Sequence, residues 1–196
     1  MNSILEKNLF FVKEHVGMFK AANNYDIYDP ETQNVIMNCR EENLGFFTKI
    51  LRFTSYKVMT PFNIVVKIPN GKNILRVERG TTFWRSKVKV YDEHNQYVGF
   101  FKQQLFSFGG KFTIYDPTEK PVCTLKGKWT SWEFSFLRGE EKIANVSKKW
   151  AGLGKELFTT ADNYMLEIFP TVKPEDRVRE LILAAVLCID MVLKER

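Results

Sequence analysis

The sequence predicts a mainly β protein in which antiparallel strands form a barrel or sandwich with one apolar C-terminal helix. Three observations lead there. Five stretches repeat the order apolar strand, polar turn, apolar strand. A helix near the end is apolar on every side from Leu181 to Ile189, so it must be buried. That run is also short: a membrane span needs roughly 20 apolar residues, and here Asp190 interrupts before Met191–Leu193. A barrel hides its strand edges by closing on itself, and a wide one needs something in its lumen. The terminal helix has the character to fill it.

The five hairpins are Tyr25–Met37, Val66–Val77, Val88–Phe101, Phe112–Leu125 and Phe134–Val146. Their turns carry the chemistry that turns require. Asp29-Pro30 and Asp116-Pro117 open turns, since Asp accepts from the backbone ahead and Pro presets φ. Asn70-Gly71 supplies the positive φ of a tight hairpin. The flanks alternate, as half-buried strands do: Lys87, Lys89 and Tyr91 face one way, Val88 and Val90 the other. Ile27-Tyr28-Asp29 and Ile114-Tyr115-Asp116 suggest two related halves. A second helix is expected over Glu41–Thr54, with Phe47, Ile50, Leu51 and Phe53 on its apolar side. The C-terminal core helix is expected over about residues 175–194, with Leu181, Ile182, Val186, Ile189 and Asp190 inside. Pro174, Glu175 and Asp176 suit its first turn. No linker or low-complexity tract divides residues 1–196, so one domain is expected.

Net charge is +6, which favours anionic partners: an acidic leaflet, phosphoinositides or nucleic acid. Cys39, Cys123 and Cys188 are odd in number and far apart, and read as reduced thiols of a cytoplasmic protein. The N-terminus is too charged for a signal peptide. No enzyme constellation survives inspection. His15 and His94 lack partners at metal-ligand spacing, and no GxSxG, P-loop or GxGxxG motif is present. No catalytic residue, metal or small-molecule substrate is expected.

Basic residues are the better lead. Arg85, Lys87 and Lys89 alternate and so project from one strand face. Lys126 and Lys128 do the same beside Trp129 and Trp132. Each positive charge near an acidic membrane contributes about 1 kcal/mol. Lys49 and Arg52, near Phe46-Phe47, could sit on an amphipathic helix at a leaflet surface. The plainer account is the solvated outside of a barrel for the five strand residues, and packing over a barrel end for the Phe46-Phe47 segment.

Several segments together resemble one family. They are Val146-Ser147-Lys148-Lys149-Trp150, Phe158–Tyr164, Phe169-Pro170 and Leu187-Cys188-Ile189-Asp190. Asn23-Asn24-Tyr25, Pro61-Phe62, Leu75–Arg79 and Lys111–Ile114 add to them. The chain resembles the phospholipid scramblases and the LURP-one-related proteins, which share the Tubby C-terminal-like fold. The resemblance implies a closed barrel of about 12 antiparallel strands wrapped around the hydrophobic C-terminal helix. It also implies lipid association, with Tubby-type domains binding phosphoinositides through a basic face. Departures matter too. The Pro-rich N-terminal extension and palmitoylated cysteine cluster of scramblases are not matched. The family's calcium segment begins Asp-Ala-Asp-Asn. Here Thr160 replaces the first Asp, and Asp162 and Asn163 remain, with Glu167 a loose match at the far end. Calcium wants about 6–8 oxygen ligands, so calcium control is expected to be weak or absent.

Three functions follow. The favoured one is a cytoplasmic, monomeric protein that associates peripherally with anionic membrane phospholipids and assists their scrambling. The second is a membrane-embedded transporter whose terminal helix spans the bilayer. The third is a protein- or nucleic-acid-binding module without lipid transport, disfavoured because no groove-reading helix is evident.

Overall fold

The computed structural model describes residues 2–15, 24–42, 45, 60–80, 87–103, 111–128, 132–148 and 163–193, the side chains of Gln103, Lys128 and residues 190–193 excepted. A 3-10 turn, Ser3–Glu6, precedes β1 (Leu9–Glu14). Then come β2 (Tyr25–Tyr28), β3 (Val35–Glu41), β4 (Phe62–Lys67), β5 (Asn73–Arg79) and β6 (Lys87–Asp92). They are followed by β7 (Tyr97–Gln103), β8 (Phe112–Tyr115), β9 (Pro121–Lys128), β10 (Glu133–Arg138), β11 (Glu141–Ser147) and β12 (Asn163–Ile168). Helix α1 (Val178–Leu193) ends the described chain.

Every strand pairs antiparallel with its sequence neighbour, and β1 closes the ring on β12 through Leu9↔Glu167 to Lys13↔Asn163. The result is the closed 12-stranded barrel that the resemblance implied. All five expected hairpins form. Asp29, Asp92 and Asp116 each accept two or more backbone N–H groups of their own turns. Gly71 takes φ +90° in the Asn-Gly turn.

The period of two sorts the residues. Ile27, Ile64, Val66, Val77, Val90, Ile114, Phe134 and Phe136 point inward onto α1. Its residues Leu181 through Ile189 are all buried. An α-helix about 10–12 Å across fills a lumen that a ring of this many strands would otherwise leave open. Among the described residues no helix is long and apolar enough to cross a membrane. The strands' outward positions carry Arg76, Glu78, Lys87, Lys89, Lys102 and Lys126. A barrel that faces lipid with its strands shows the reverse pattern.

Glycine matters at β7. Gly99 sits at φ +150°, beside the bulge where the β6–β7 register shifts. A Cβ there would lie 2.2 Å from the Tyr115 carbonyl oxygen and 3.2 Å from Leu181 Cδ2. The missing side chain lets β7 bend against both β8 and the helix.

The two ends of the barrel differ. At the end where α1 begins, the β2–β3, β4–β5, β6–β7, β8–β9 and β10–β11 turns are short. Ion pairs join them to one another and to neighbouring segments: Lys7–Asp29 at 2.9 Å, Lys72–Glu93 at 2.6 Å, Arg177–Asp92 at 2.5 Å and Arg138–Asp176 at 2.8 Å. Arg179, 1% exposed, closes this end. It donates to the carbonyls of Leu5, Glu6, Lys7 and Val172 and to Asn8 Oδ1. Burial pushes its pKa below the ordinary arginine value.

Two expectations are corrected. The helix begins at Val178, not near 175. Asp176 N–H donates to the Lys173 carbonyl, forming a turn, and Asp176 Oδ1 then accepts from Val178 N–H at 2.9 Å. Asp176 is therefore the cap before the helix rather than a residue within its first turn. Glu41, expected to start a second helix, ends β3 and pairs with Ile64. Residues 43–44 and 46–54 of that segment lie outside the described residues.

Candidate functional site

The alternation of β6 puts Val88 and Val90 in the core and Lys87, Lys89 and Tyr91 on the outer face. Lys89 is exposed. Register then decides their neighbours. Lys87 lies opposite Lys102 of β7, and Lys89 lies between Glu78 of β5 and Phe100 of β7. Phe100 lies opposite Tyr115 of β8. The two rings stack 4.9 Å apart at an interplanar angle of 9°. Lys87 Nζ sits 4.5 Å and Lys102 Nζ 5.1 Å from the centre of the Phe100 ring, and Lys102 is also 5.1 Å from that of Tyr115. Phe100 is fully buried although it points away from the core, because the lysine stems and Tyr115 cover it.

The ladder continues toward β5. Tyr91 and Tyr97 pack 5.8 Å apart, and the Arg76 guanidinium lies 4.3 Å over the Tyr91 ring. The Tyr91 hydroxyl donates to Glu78 at 2.7 Å. Burial, then that bond, pushes its pKa up to about 12. On the other side, Lys126 of β9 is exposed and lies opposite Ser135 of β10. Gly127 keeps the inward place beside it empty, since a Cβ would meet the Phe134 ring at 2.2 Å. From β6 to β9 is three strand spacings, about 14 Å. The outcome is a cationic, aromatic face running across four adjacent strands.

Of the sequence-predicted positions, Lys87, Lys89 and Lys126 therefore share one side of the barrel. Lys128 ends β9, and its side chain lies outside the described residues, as do Arg85, Lys49, Arg52 and Trp129. Trp132 packs edge-on to Phe134 and takes Lys148 Nζ 3.6 Å over its ring. Sequence reasoning missed Lys102, Phe100, Tyr115 and Glu119. Outward alternation of β8 could have flagged Tyr115. The bulge at Gly99 hid the parity of Phe100 and Lys102, since it shifts the alternation by one residue.

The calcium segment is not assembled by what is described. Asp162 lies outside the described residues, and the side chain of Asp190 does too. Asn163 is buried at the start of β12. Glu167 is four residues along the same extended strand, about 13 Å away. Two side chains so spaced along a strand cannot share one ion at 2.3–2.6 Å. Among the described residues no group of three or more His, Cys, Asp or Glu could hold a metal.

The three thiols are buried. Burial raises all of their pKa values, that of Cys123 to about 12. A thiol reagent is therefore expected to find none of the three cysteines in the native protein at pH 8 and all of them in denaturant. A cysteine that reacts natively at its denatured rate would contradict the closed core.

The comparisons bear on what this face belongs to. The Scramblase family model matches residues 3–196. Altered inheritance rate of mitochondria protein 25 of Saccharomyces cerevisiae is 25% identical over 96% of this chain and 67% of its own length. A phospholipid scramblase family protein of Schizosaccharomyces pombe is 24% identical over 98% of this chain. The chain spans 55% of that second relative's length. No solved structure matches. Because the family match runs through the barrel strands and the helix they enclose, the chain belongs to the scramblase family.

Proposed function

We propose that this chain is a lipid-associated scramblase-family protein that docks on anionic phospholipid headgroups through the outer face of β6–β9, without turnover of covalent bonds. The carrying observation is the clustering of outward lysines with the stacked Phe100 and Tyr115 rings on adjacent strands. Ion pairs are common on the barrel: Lys7, Arg40, Lys67, Lys72, Arg76, Arg138 and Arg177 each meet a carboxylate within 3 Å, whereas Lys13, Lys120, Lys142 and Lys173 have no ion pair among the described residues. On this face Lys89, Lys102 and Lys126 make no ion pair among the described residues, although Glu119 lies close enough to feel the charge of Lys102. Such cations beside aromatic rings suit a headgroup layer, where phosphate meets the ammonium and the ring lies at the interface. Family membership raises the weight of a lipid partner over a nucleic acid. Assistance of phospholipid scrambling, and a cytoplasmic position at the membrane surface, are the further parts of this reading.

Co-sedimentation tests it. The protein is expected to pellet with phosphatidylcholine vesicles containing phosphatidylserine and not with phosphatidylcholine alone, and to be released by salt. The variant Lys89→Glu/Lys102→Glu/Lys126→Glu is expected to lose on the order of 100-fold or more in affinity, at about 1 kcal/mol for each charge removed. Equal binding of variant and wild type would sink the assignment of this face. A dithionite assay in proteoliposomes then asks whether lipid crosses.

A further inference from the structure

We propose that Lys87 and Lys102 form a clamp for a headgroup phosphate, and that Glu119 is a built-in counterion which the phosphate displaces. The proposal rests on the lipid-docking reading above and adds the chemistry of one subsite and its gate.

The clamp is an arrangement that sheet stability alone disfavours. Lys87 and Lys102 are direct cross-strand partners, and like charges so placed repel. Both ammonium groups are nevertheless drawn to one aromatic stack, 4.5 and 5.1 Å from the Phe100 centroid. Their stems pack on the rings, which aims the charged ends at a common region of the outer surface. A phosphate monoester, carrying close to two negative charges at neutral pH, matches two ammonium groups better than a singly charged diester.

The gate comes from the β8–β9 turn. Glu119 Oε1 lies 2.9 Å from Lys87 Nζ. A hydrogen bond from Lys87, then its charge and that of Lys102, hold the Glu119 carboxyl below its usual range. One carboxylate thus serves two lysines. The pair is exposed, 41% and 60% at the two side chains, so little holds it against a competing anion.

The turn itself points the same way. Three turns of this barrel are opened by an aspartate, and each contains one non-glycine residue at positive φ. These are Gln33 at 58°, Asn95 at 61° and Glu119 at 63°. Asn is at home in that region, and the other two positions are uncharged. The turn needs no charge there, because Asp116 already fastens it through Thr118 and Lys120. A glutamate at a left-handed position that its sister turns fill with amides is accounted for by its reach to Lys87.

The test compares Glu119→Gln, Lys102→Gln and the double variant. Binding is measured to phosphatidylcholine vesicles carrying a phosphatidylinositol phosphate, and to others carrying phosphatidylserine at matched charge. Glu119→Gln is expected to bind the phosphomonoester vesicles about fivefold tighter, the effect of one unit charge near an acidic surface. In the Lys102→Gln background that gain is expected to shrink or vanish, because the two sites are coupled through one phosphate. A gain of equal size in both backgrounds, or on both kinds of vesicle, would show only a general surface charge effect and overturn the clamp. A soluble inositol phosphate separates the sources of phosphate. Calorimetric titration with it reads the clamp even if no vesicle is bound. Absence of vesicle binding would end the lipid-docking reading, whereas equal calorimetric affinity for wild type and Glu119→Gln would end the gate. Unchanged urea midpoints confirm that the variants are folded.

Discussion

Arg179→Ala is expected to lower stability by about 3–5 kcal/mol, because several buried acceptors lose one shared donor at about 1–3 kcal/mol each. For a chain of this size that corresponds to a melting temperature roughly 10 °C lower. The guanidinium is the single donor set shared by Leu5, Glu6, Lys7, Asn8 and Val172. It ties the 3-10 turn and the start of β1 to the segment between β12 and α1. Loss of the side chain orphans several buried acceptors at once, and each unpaired one costs about 1–3 kcal/mol before water enters. Arg179→Lys is expected to recover only part, because one ammonium cannot match a planar fork with acceptors on two segments. Urea unfolding reads the loss, and limited proteolysis near residues 2–8 reads the release of the strap. A loss below 1 kcal/mol would mean that the strap is held by packing of Leu5 instead.

Val186→Asp is expected to abolish folding altogether. Val186 is fully buried midway along α1. An unpaired carboxylate there loses its hydration without any donor among its apolar neighbours, at several kcal/mol. Total stability is typically about 5–15 kcal/mol. A milder cut, Ile182→Ala, is expected to cost about 2–5 kcal/mol and leave a folded protein. Circular dichroism and sedimentation measure both. If α1 instead faced lipid, Ile182→Ala would leave urea unfolding nearly unchanged. The lysine and Glu119 variants of the outer face are expected to move stability by less than about 0.5 kcal/mol, as surface changes usually do. That contrast between the inner and outer sides of the barrel checks the alternation on which both the core and the candidate face depend.

Much of the fold was legible because its signals are local. Asp29-Pro30, Asn70-Gly71 and Asp116-Pro117 declare their turns within four residues. The alternation Lys87, Val88, Lys89, Val90 declares a strand with one wet side. Leu181–Ile189 declares a helix that has to be enclosed. The start of that helix was less legible, because Pro174, Glu175 and Asp176 suit a first turn and a preceding turn equally well. Only the hydrogen bond from Val178 N–H to Asp176 settles which.

The amino-acid order by itself determined that strands alternate, where hairpins turn, and that the last helix is a core element; these depend on neighbours a few residues apart. Tertiary structure alone decided that β1 closes on β12, that Lys102 and Glu119 reach Lys87, and that Arg179 gathers carbonyls more than 170 positions away in the chain. The reason is register. A shift of one residue in any pairing sends every side chain of that strand to the opposite face. The bulge at Gly99 is such a shift; an isolated glycine hints at a bulge, but only the pairing with β6 shows how the register moves.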